Sequence, residues 1–360
     1  MSLAALIAGL PIPILQAPMA GASFDAMAVA VSRAGGLGSL AAASVAPPDI
    51  GAAVAGIRAQ TDAPFGVNLL MAPPAAPPAA FIDAALATLE PWYEAAGAPL
   101  PAAPNSFSPD FKAQLAALTA AAPPVASFAF SILTAAEVAA LHAAGSYVLG
   151  TANTVAEARA WAQVGADGII AQGFEAGGHH GYFLEDIGAS SIGTLALVAT
   201  VVEAVDLPVI AAGGIMDGRG VAAALALGAS AVQMGTAFLL ADEAINGPTW
   251  QRAIVAAPDD ATRLTRAFSG RYARGIENRF MREMRAQEEA VPAYPVQNRL
   301  TQPLRAAAAK AGDPEMMSLW AGQGVTMARP GEAGAMVQLW WAQAREAAAG
   351  LVERTAGARP

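Results

Sequence analysis

The chain contains no cysteine. Disulfides, thiolate nucleophiles and Cys-ligated zinc or iron–sulfur clusters are excluded together, so redox chemistry would need an organic cofactor. Charge is scarce as well: charged residues make up 14% of 360, with 20 basic against 29 acidic side chains and a net charge of −9. No basic cluster alternates with aromatics, so nucleic acid is not an expected partner. Hydrophobic residues reach 55%, yet the excess is mostly alanine, and no run of about 18 strongly apolar residues could span a bilayer. The opening stretch MSLAALIAGLPIPILQ lacks the basic region of a signal peptide and leads into a strand-like segment, so it reads as part of the fold of a cytoplasmic protein. Histidine occurs only three times, and two of the three are adjacent in QGFEAGGHHG, residues 172–181.

One junction recurs along the chain. A helical stretch, a glycine and a short apolar run follow one another in AVSRAGGLGSL, VAALHAAGSYVLG, AWAQVGADGII and ALALGASAVQM, where the glycine can take the left-handed position that ends a helix before a strand. Strands are expected at about 12–17, 38–41, 65–69, 125–128, 147–149, 168–171, 208–211 and 231–234. Most are apolar without alternation, as in parallel strands covered on both faces. Eight such units in roughly 225 residues fit an α/β fold of the TIM (β/α)8 type, whose usual size is about 250. An open doubly wound sheet is the rival, but GLGSLA at Gly36 follows a helix and opens a strand, the reverse of a dinucleotide fingerprint. The expected organisation is a barrel over 1–245 with a Pro-rich excursion at 71–110 on the catalytic rim, a small helical cap over 246–314, and a return over 315–360 that closes the barrel.

Three sites fall at the C-terminal ends of expected strands. PVIAAGGIMDGRG and ASAVQMGTAF each run from a strand into glycine-rich backbone, so the N–H groups of Gly213, Gly214, Gly235 and Thr236 can converge on an anion. Tight turns would explain either segment alone. Both together, after strands seven and eight, match the usual phosphate site of this fold. In the 172–181 loop, Gln172 can address a polar ring edge, while Gly177 and Gly178 let a planar ligand approach backbone. His179 is either a satisfied structural residue or an imidazole beside a ligand, and its place in a rim loop favours the second, with proton transfer as its chemistry. His180 reads as peripheral, His142 as a helix-end residue, and a metal site is not expected because no carboxylate lies at zincin spacing. Pro18 and Met19 in LQAPMAG, with Asn68 in FGVNLL, can present polar groups to a flat heterocycle. A phosphate on one side of the barrel mouth and a polar planar group across it describe FMN better than a sugar phosphate.

With these residues in place, the chain resembles the FMN-dependent nitronate monooxygenases, formerly called 2-nitropropane dioxygenases. QAPMAG, AVSRAGGLG, FGVN, GADGIIAQGFEAGGHHG, VIAAGGIMDGR and VQMGTAF are similar to that family's blocks in order, and FSGRYARGIENRF and LWAGQG resemble its C-terminal half. The resemblance implies flavin contacts at Pro18, Met19, Asn68, Gln172, Gly177 and Gly178. It implies phosphate contacts at Gly213, Gly214, Gln233, Met234, Gly235 and Thr236, and a catalytic His179. His180 stands where arginine is commoner and Ala22 replaces a frequent glycine. The implied activity is oxidation of alkyl nitronates, such as propionate 3-nitronate, and of nitroalkanes by O2 to carbonyl compounds and nitrite. His179 would hold the nitronate oxygens or remove the α-proton of a neutral nitroalkane. QGxEAGGH is shared with FMN-dependent enoyl-acyl-carrier-protein reductases, so an NAD(P)H reductase of enoyl or quinone type is the alternative.

Overall fold

The computed structural model describes all residues except 1, 74, 76 and 357–360. Its strands are β1 (Ile14–Gln16), β2 (Gly38–Ala41), β3 (Phe65–Leu70), β4 (Val125–Ala129), β5 (Tyr147–Ala152), β6 (Gly168–Gln172), β7 (Gly178–His179), β8 (Val209–Ala212), β9 (Ala231–Met234), β10 (Thr262–Thr265) and β11 (Ala273–Ile276). Eight of them form one parallel sheet in the order β1-β9-β8-β6-β5-β4-β3-β2. A bridge between Leu15 and Leu37 closes it, with the Gln16 N–H donating to the Leu37 carbonyl at 2.9 Å and the Leu37 N–H to Ile14 at 3.0 Å. The expected TIM barrel is therefore observed, with a strand at each of the eight expected places.

Two side-chain layers explain the unbroken apolar strands. Alternate residues such as Leu15, Val125, Leu149, Ile170 and Ile210 point into the barrel, where the helix Leu3–Gly9 plugs the lower end with Leu3 and Ile7. Their neighbours, among them Ile14, Ala126, Val148, Ile169 and Val209, face the helices outside. Because both faces are buried, no alternation of buried and exposed positions marks the period of two. The junction glycines behave as their pattern requires: Gly35, Gly145, Gly165 and Gly228 all have φ between 90° and 101°, a conformation that costs an L side chain about 1 kcal/mol or more.

Residues 71–110 leave the barrel after β3; they contain the helix Ala79–Ala95 and return Phe107 to the rim. Pro74 and Ala76 of the Pro-rich stretch lie outside the described residues. The segment 246–314 differs from a purely helical cap. It holds the helices Gly247–Ala256, Arg279–Met284 and Val296–Ala311, but also the antiparallel hairpin β10–β11. The hairpin takes β7 as a third strand, pairing Ala273 with His179 and Arg274 with Gly178. Charge in TRLTRAFSGRYARGI suggests a solvated helix, but the segment pairs as a hairpin with a partner some 95 residues upstream, and its burial shows no alternation that a sequence period could reveal. The helix Ala333–Ala356 packs on Gly218–Ala226 and Asp25–Arg33, between the last and first barrel units.

Candidate active site

A cavity of about 870 Å³ opens at the C-terminal ends of the barrel strands. Pro18, Met19, Asn68, Gln172, Gly177, Gly178, His179, Gly213, Gly214, Gln233, Gly235 and Thr236 all line it. Met234 does not: it is 1% exposed, packed in the core, and serves through its carbonyl, which accepts from the Ala17 N–H at 2.8 Å. Alternation along β9 decides this, since Gln233 faces the mouth and its neighbour must face the helices.

The glycines form a cradle. Gly213 and Gly214 have φ of 110° and 71°, and among the described residues no acceptor is found for the N–H groups of Gly213, Gly214 and Gly235. Unpaired amides at a cavity wall are an anion site in waiting. Glu175 fixes the cradle from behind: its carboxylate accepts from the Thr194 N–H at 2.8 Å and the Thr194 hydroxyl at 2.8 Å, and that hydroxyl also lies 3.0 Å from the Gly213 carbonyl. The return segment supplies a wall that sequence reading did not locate. A Cβ on Gly177 would meet Gly322 N at 2.4 Å, and the Gly322 N–H donates to Thr236 Oγ1 at 2.9 Å. By contrast, a Cβ on Gly178 would meet nothing within 4 Å, so this position leaves the cavity open where a flat ring could lie.

Gln172 is occupied differently from the expected ring contact. Its Nε2 donates to the His179 carbonyl at 3.1 Å, and its Oε1 accepts from the Gly181 N–H at 2.7 Å, so the side chain splints the histidine loop. Behind it, buried Asn153 donates to the Gln172 carbonyl at 2.8 Å, and buried Glu157 accepts from Asn153 N at 2.7 Å and Leu184 N at 3.1 Å. Arg271 clamps the same loop from the hairpin. Its Nε donates to the His180 carbonyl at 3.0 Å, a second nitrogen donates to the Tyr182 carbonyl, and the guanidinium lies 4.2 Å from both the Phe130 and Tyr182 ring centres. Phe130 itself is held at φ 83°, a strained position for an aromatic residue that lies beside the candidate base.

His179 lies among aromatic rings, with centroids of Phe130, Tyr294 and Trp320 at 5.6, 5.7 and 5.5 Å. The ring is half-buried and lines the cavity. Burial, followed by the charges of Arg271 and Arg305 and by His180, lowers its pKa from 6.5 to about 3. Arg305 lines the same cavity, half-buried, its Nε has no hydrogen-bond partner among the described residues, and desolvation brings it down to about 10, still a cation at neutral pH. His180, expected at the periphery, is fully buried against Phe174 and the Arg274 guanidinium. Its ring turns away from the cavity because adjacent residues on extended backbone face opposite sides. Burial and then Arg274 lower it to about 4. His142 pairs with Asp167 at 2.8 Å on the outside of the barrel.

These shifts carry a stability consequence. Both histidines stay neutral when folded but bind protons below about pH 6.5 when unfolded, so the unfolded state holds more protons there and stability rises with pH. Nothing is lost above 6.5, and the loss grows as pH falls toward about 4 for His180 and about 3 for His179. The melting temperature should therefore fall from pH 7 to pH 5 in the wild type, and His180→Phe should flatten that slope. An unchanged slope in the variant would show that His180 is not the proton sink.

An eight-stranded barrel with glycine N–H groups and a half-buried imidazole at the mouth of one cavity has the architecture of an α/β-barrel enzyme, and the comparisons narrow the class. The nitronate monooxygenase pattern matches residues 2–340, so the chain belongs to the nitronate monooxygenase family, whose members are FMN-dependent flavoenzymes that oxidise nitronates and nitroalkanes. It is 39% identical over 317 residues, 88% of this chain and 89% of the relative, to a "Probable nitronate monooxygenase" of Staphylococcus aureus. Among solved structures it resembles a nitroalkane oxidase from Streptomyces ansochromogenes, with 44% identity, a TM-score of 0.89 and coverage of 96% and 99% of the two chains. FabK from Thermotoga maritima is further away, at 30% identity and a TM-score of 0.75 over 97% and 98%. No helix among the described residues is long and apolar enough to cross a membrane.

Proposed function

We propose that FMN lies in the 870 Å³ cavity with its phosphate on the glycine cradle, and that His179 is the base that admits neutral nitroalkanes to the family's nitronate oxidation. The observation that carries this reading is an imidazole set among Phe130, Tyr294 and Trp320 and lining the same cavity as backbone N–H groups that have no acceptor among the described residues. The residues present fit the group: unpaired amides at Gly213, Gly214 and Gly235 suit a phosphate, and the open face at Gly178 suits a flat ring. When bound, FMN supplies the electron acceptor and the O2 chemistry. The chain does the rest. Asn68, held by Ser127 at 3.0 Å, offers its carbonyl side to the ring edge, and Pro18 and Met19 border the mouth. His179 takes the α-proton of a nitroalkane, and the C–H electron pair passes into the nitro group to leave a nitronate. Phe130, Tyr294 and Trp320 keep bulk water from that proton.

The substrates in this reading are small nitroalkanes or nitronates and O2, with no nucleic-acid or membrane partner. A cytoplasmic location suits a cysteine-free chain, which gains nothing from an oxidising compartment. The reductase alternative rests on the more distant of the two structural likenesses. One experiment tests the whole. Acid denaturation of the purified yellow protein should release free FMN, and in an anaerobic cuvette a nitronate should bleach the flavin absorbance rapidly while NADPH does so slowly or not at all. Stoichiometric bleaching by NADPH with no response to a nitronate would replace this reading with a reductase.

A further inference from the structure

His179 Nε2 lies 2.8 Å from Ser269 Oγ, and Ser269 has other commitments. Its hydroxyl donates to the Arg271 carbonyl at 2.9 Å, and its oxygen accepts from the Arg271 N–H at 3.4 Å. A serine hydroxyl carries one proton. With that proton on the Arg271 carbonyl, an acceptor that cannot donate in return, only a lone pair remains for the imidazole. The hydrogen between His179 and Ser269 must then belong to the histidine.

We infer that Ser269 is a positioning residue that fixes His179 as the Nε2–H tautomer and so presents the Nδ1 lone pair to the cavity. Nδ1 has no partner among the described residues, and the ring lines the cavity. The ring cannot easily turn. Phe130, Tyr294 and Trp320 surround it, and the His179 carbonyl is held by Gln172. Ser269 is itself fixed: it is 1% exposed, and its N–H donates to the Arg266 carbonyl at 3.2 Å. The outcome is an acceptor aimed at the substrate space, suited to take an α-proton and unable to donate to a nitronate oxygen. In the transfer, the C–H bond breaks, its electron pair delocalises onto the nitro oxygens, and the new N–H bond forms at Nδ1. Orientation of a reactive imidazole by the group on its other nitrogen is a general device. The inference rests on His179 being the base.

Three histidines in the whole chain make nitrogen NMR of the FMN-loaded protein tractable. With the His179 signals assigned through His179→Asn, the wild type should show a pyrrole-like Nε2 and a pyridine-like Nδ1 at neutral pH. Ser269→Ala should keep its FMN but lose the fixed pattern. Its kcat on a neutral nitroalkane should fall about 10–100-fold, the usual cost of losing such an orienting partner, with a much smaller loss on the preformed nitronate. Ser269→Thr, which keeps the hydroxyl, should recover most of both. A protonated Nδ1 in the wild type, or Ser269→Ala with an unaltered His179 spectrum, would overturn the inference. A wild-type tautomer as stated, with a His179→Asn variant fully active on both substrates, would instead overturn the assignment of the base.

Discussion

His179→Asn should retain its FMN while turnover of neutral nitroalkanes falls about 10²–10⁴-fold, the usual cost of removing a general base. The asparagine amide ends where the imidazole Nδ1 stands and gives up the Nε2 hydrogen bond to Ser269, but Gln172 and Arg271 hold the loop through its backbone carbonyls, so the loop should persist. It cannot take a proton at neutral pH. A preformed nitronate has already lost that proton, so its oxidation should fall much less. Steady-state kinetics on a nitroalkane and its nitronate, with flavin content measured by absorbance, separate the two effects. Equal losses on both substrates would mean that His179 is not the base. In the wild type, the lowered pKa of about 3 means that kcat/KM for the nitroalkane should show no break near the ordinary histidine value of about 6.5.

Gly214→Asp should empty the flavin site. Gly214 sits at φ 71°, and a Cβ there would lie 3.2 Å from Glu175 Cβ. Aspartate tolerates left-handed backbone better than most residues, so conformational strain is the smaller effect. The larger one is electrostatic. A new carboxylate would stand beside Glu175 and beside the unpaired amides of Gly213 and Gly235, competing for the N–H groups that suit a phosphate. Each hydrogen bond to a charged group contributes about 1.5–3 kcal/mol, so the loss of two corresponds to FMN binding weaker by roughly 100-fold or more. Gly214→Asn, of the same size without the charge, should keep much of its flavin. Full occupancy in the aspartate variant would move the phosphate elsewhere in the cavity.

The barrel was legible because its information is local. Each βα unit carries its own punctuation, and Gly35, Gly145, Gly165 and Gly228 end helices with the positive φ that their neighbours imply. The meeting of Gly213, Gly214 and Gly235 at one cavity was legible for the same reason, since glycines after two successive strands must lie side by side once the barrel closes. The hairpin was not. β10–β11 gains its meaning from pairing with a two-residue strand at Gly178–His179, a contact that no period in either segment reveals.

By itself, then, the sequence determined an eight-unit barrel, a cysteine-free chemistry dependent on an organic cofactor, and a rim holding glycine N–H groups and His179, because backbone period and turn chemistry act within a few residues. Tertiary structure alone decided which atoms of that rim do what. Folding spends the Gln172 amide on splinting the loop and buries His180 out of reach. It turns Met234 into the core, brings Arg305 and Gly322 to the mouth, and sets Arg271 and Ser269 behind the histidine loop, all four from beyond β9. Desolvation and long-range contact set these roles, and both depend on neighbours that the chain supplies only after it has closed on itself.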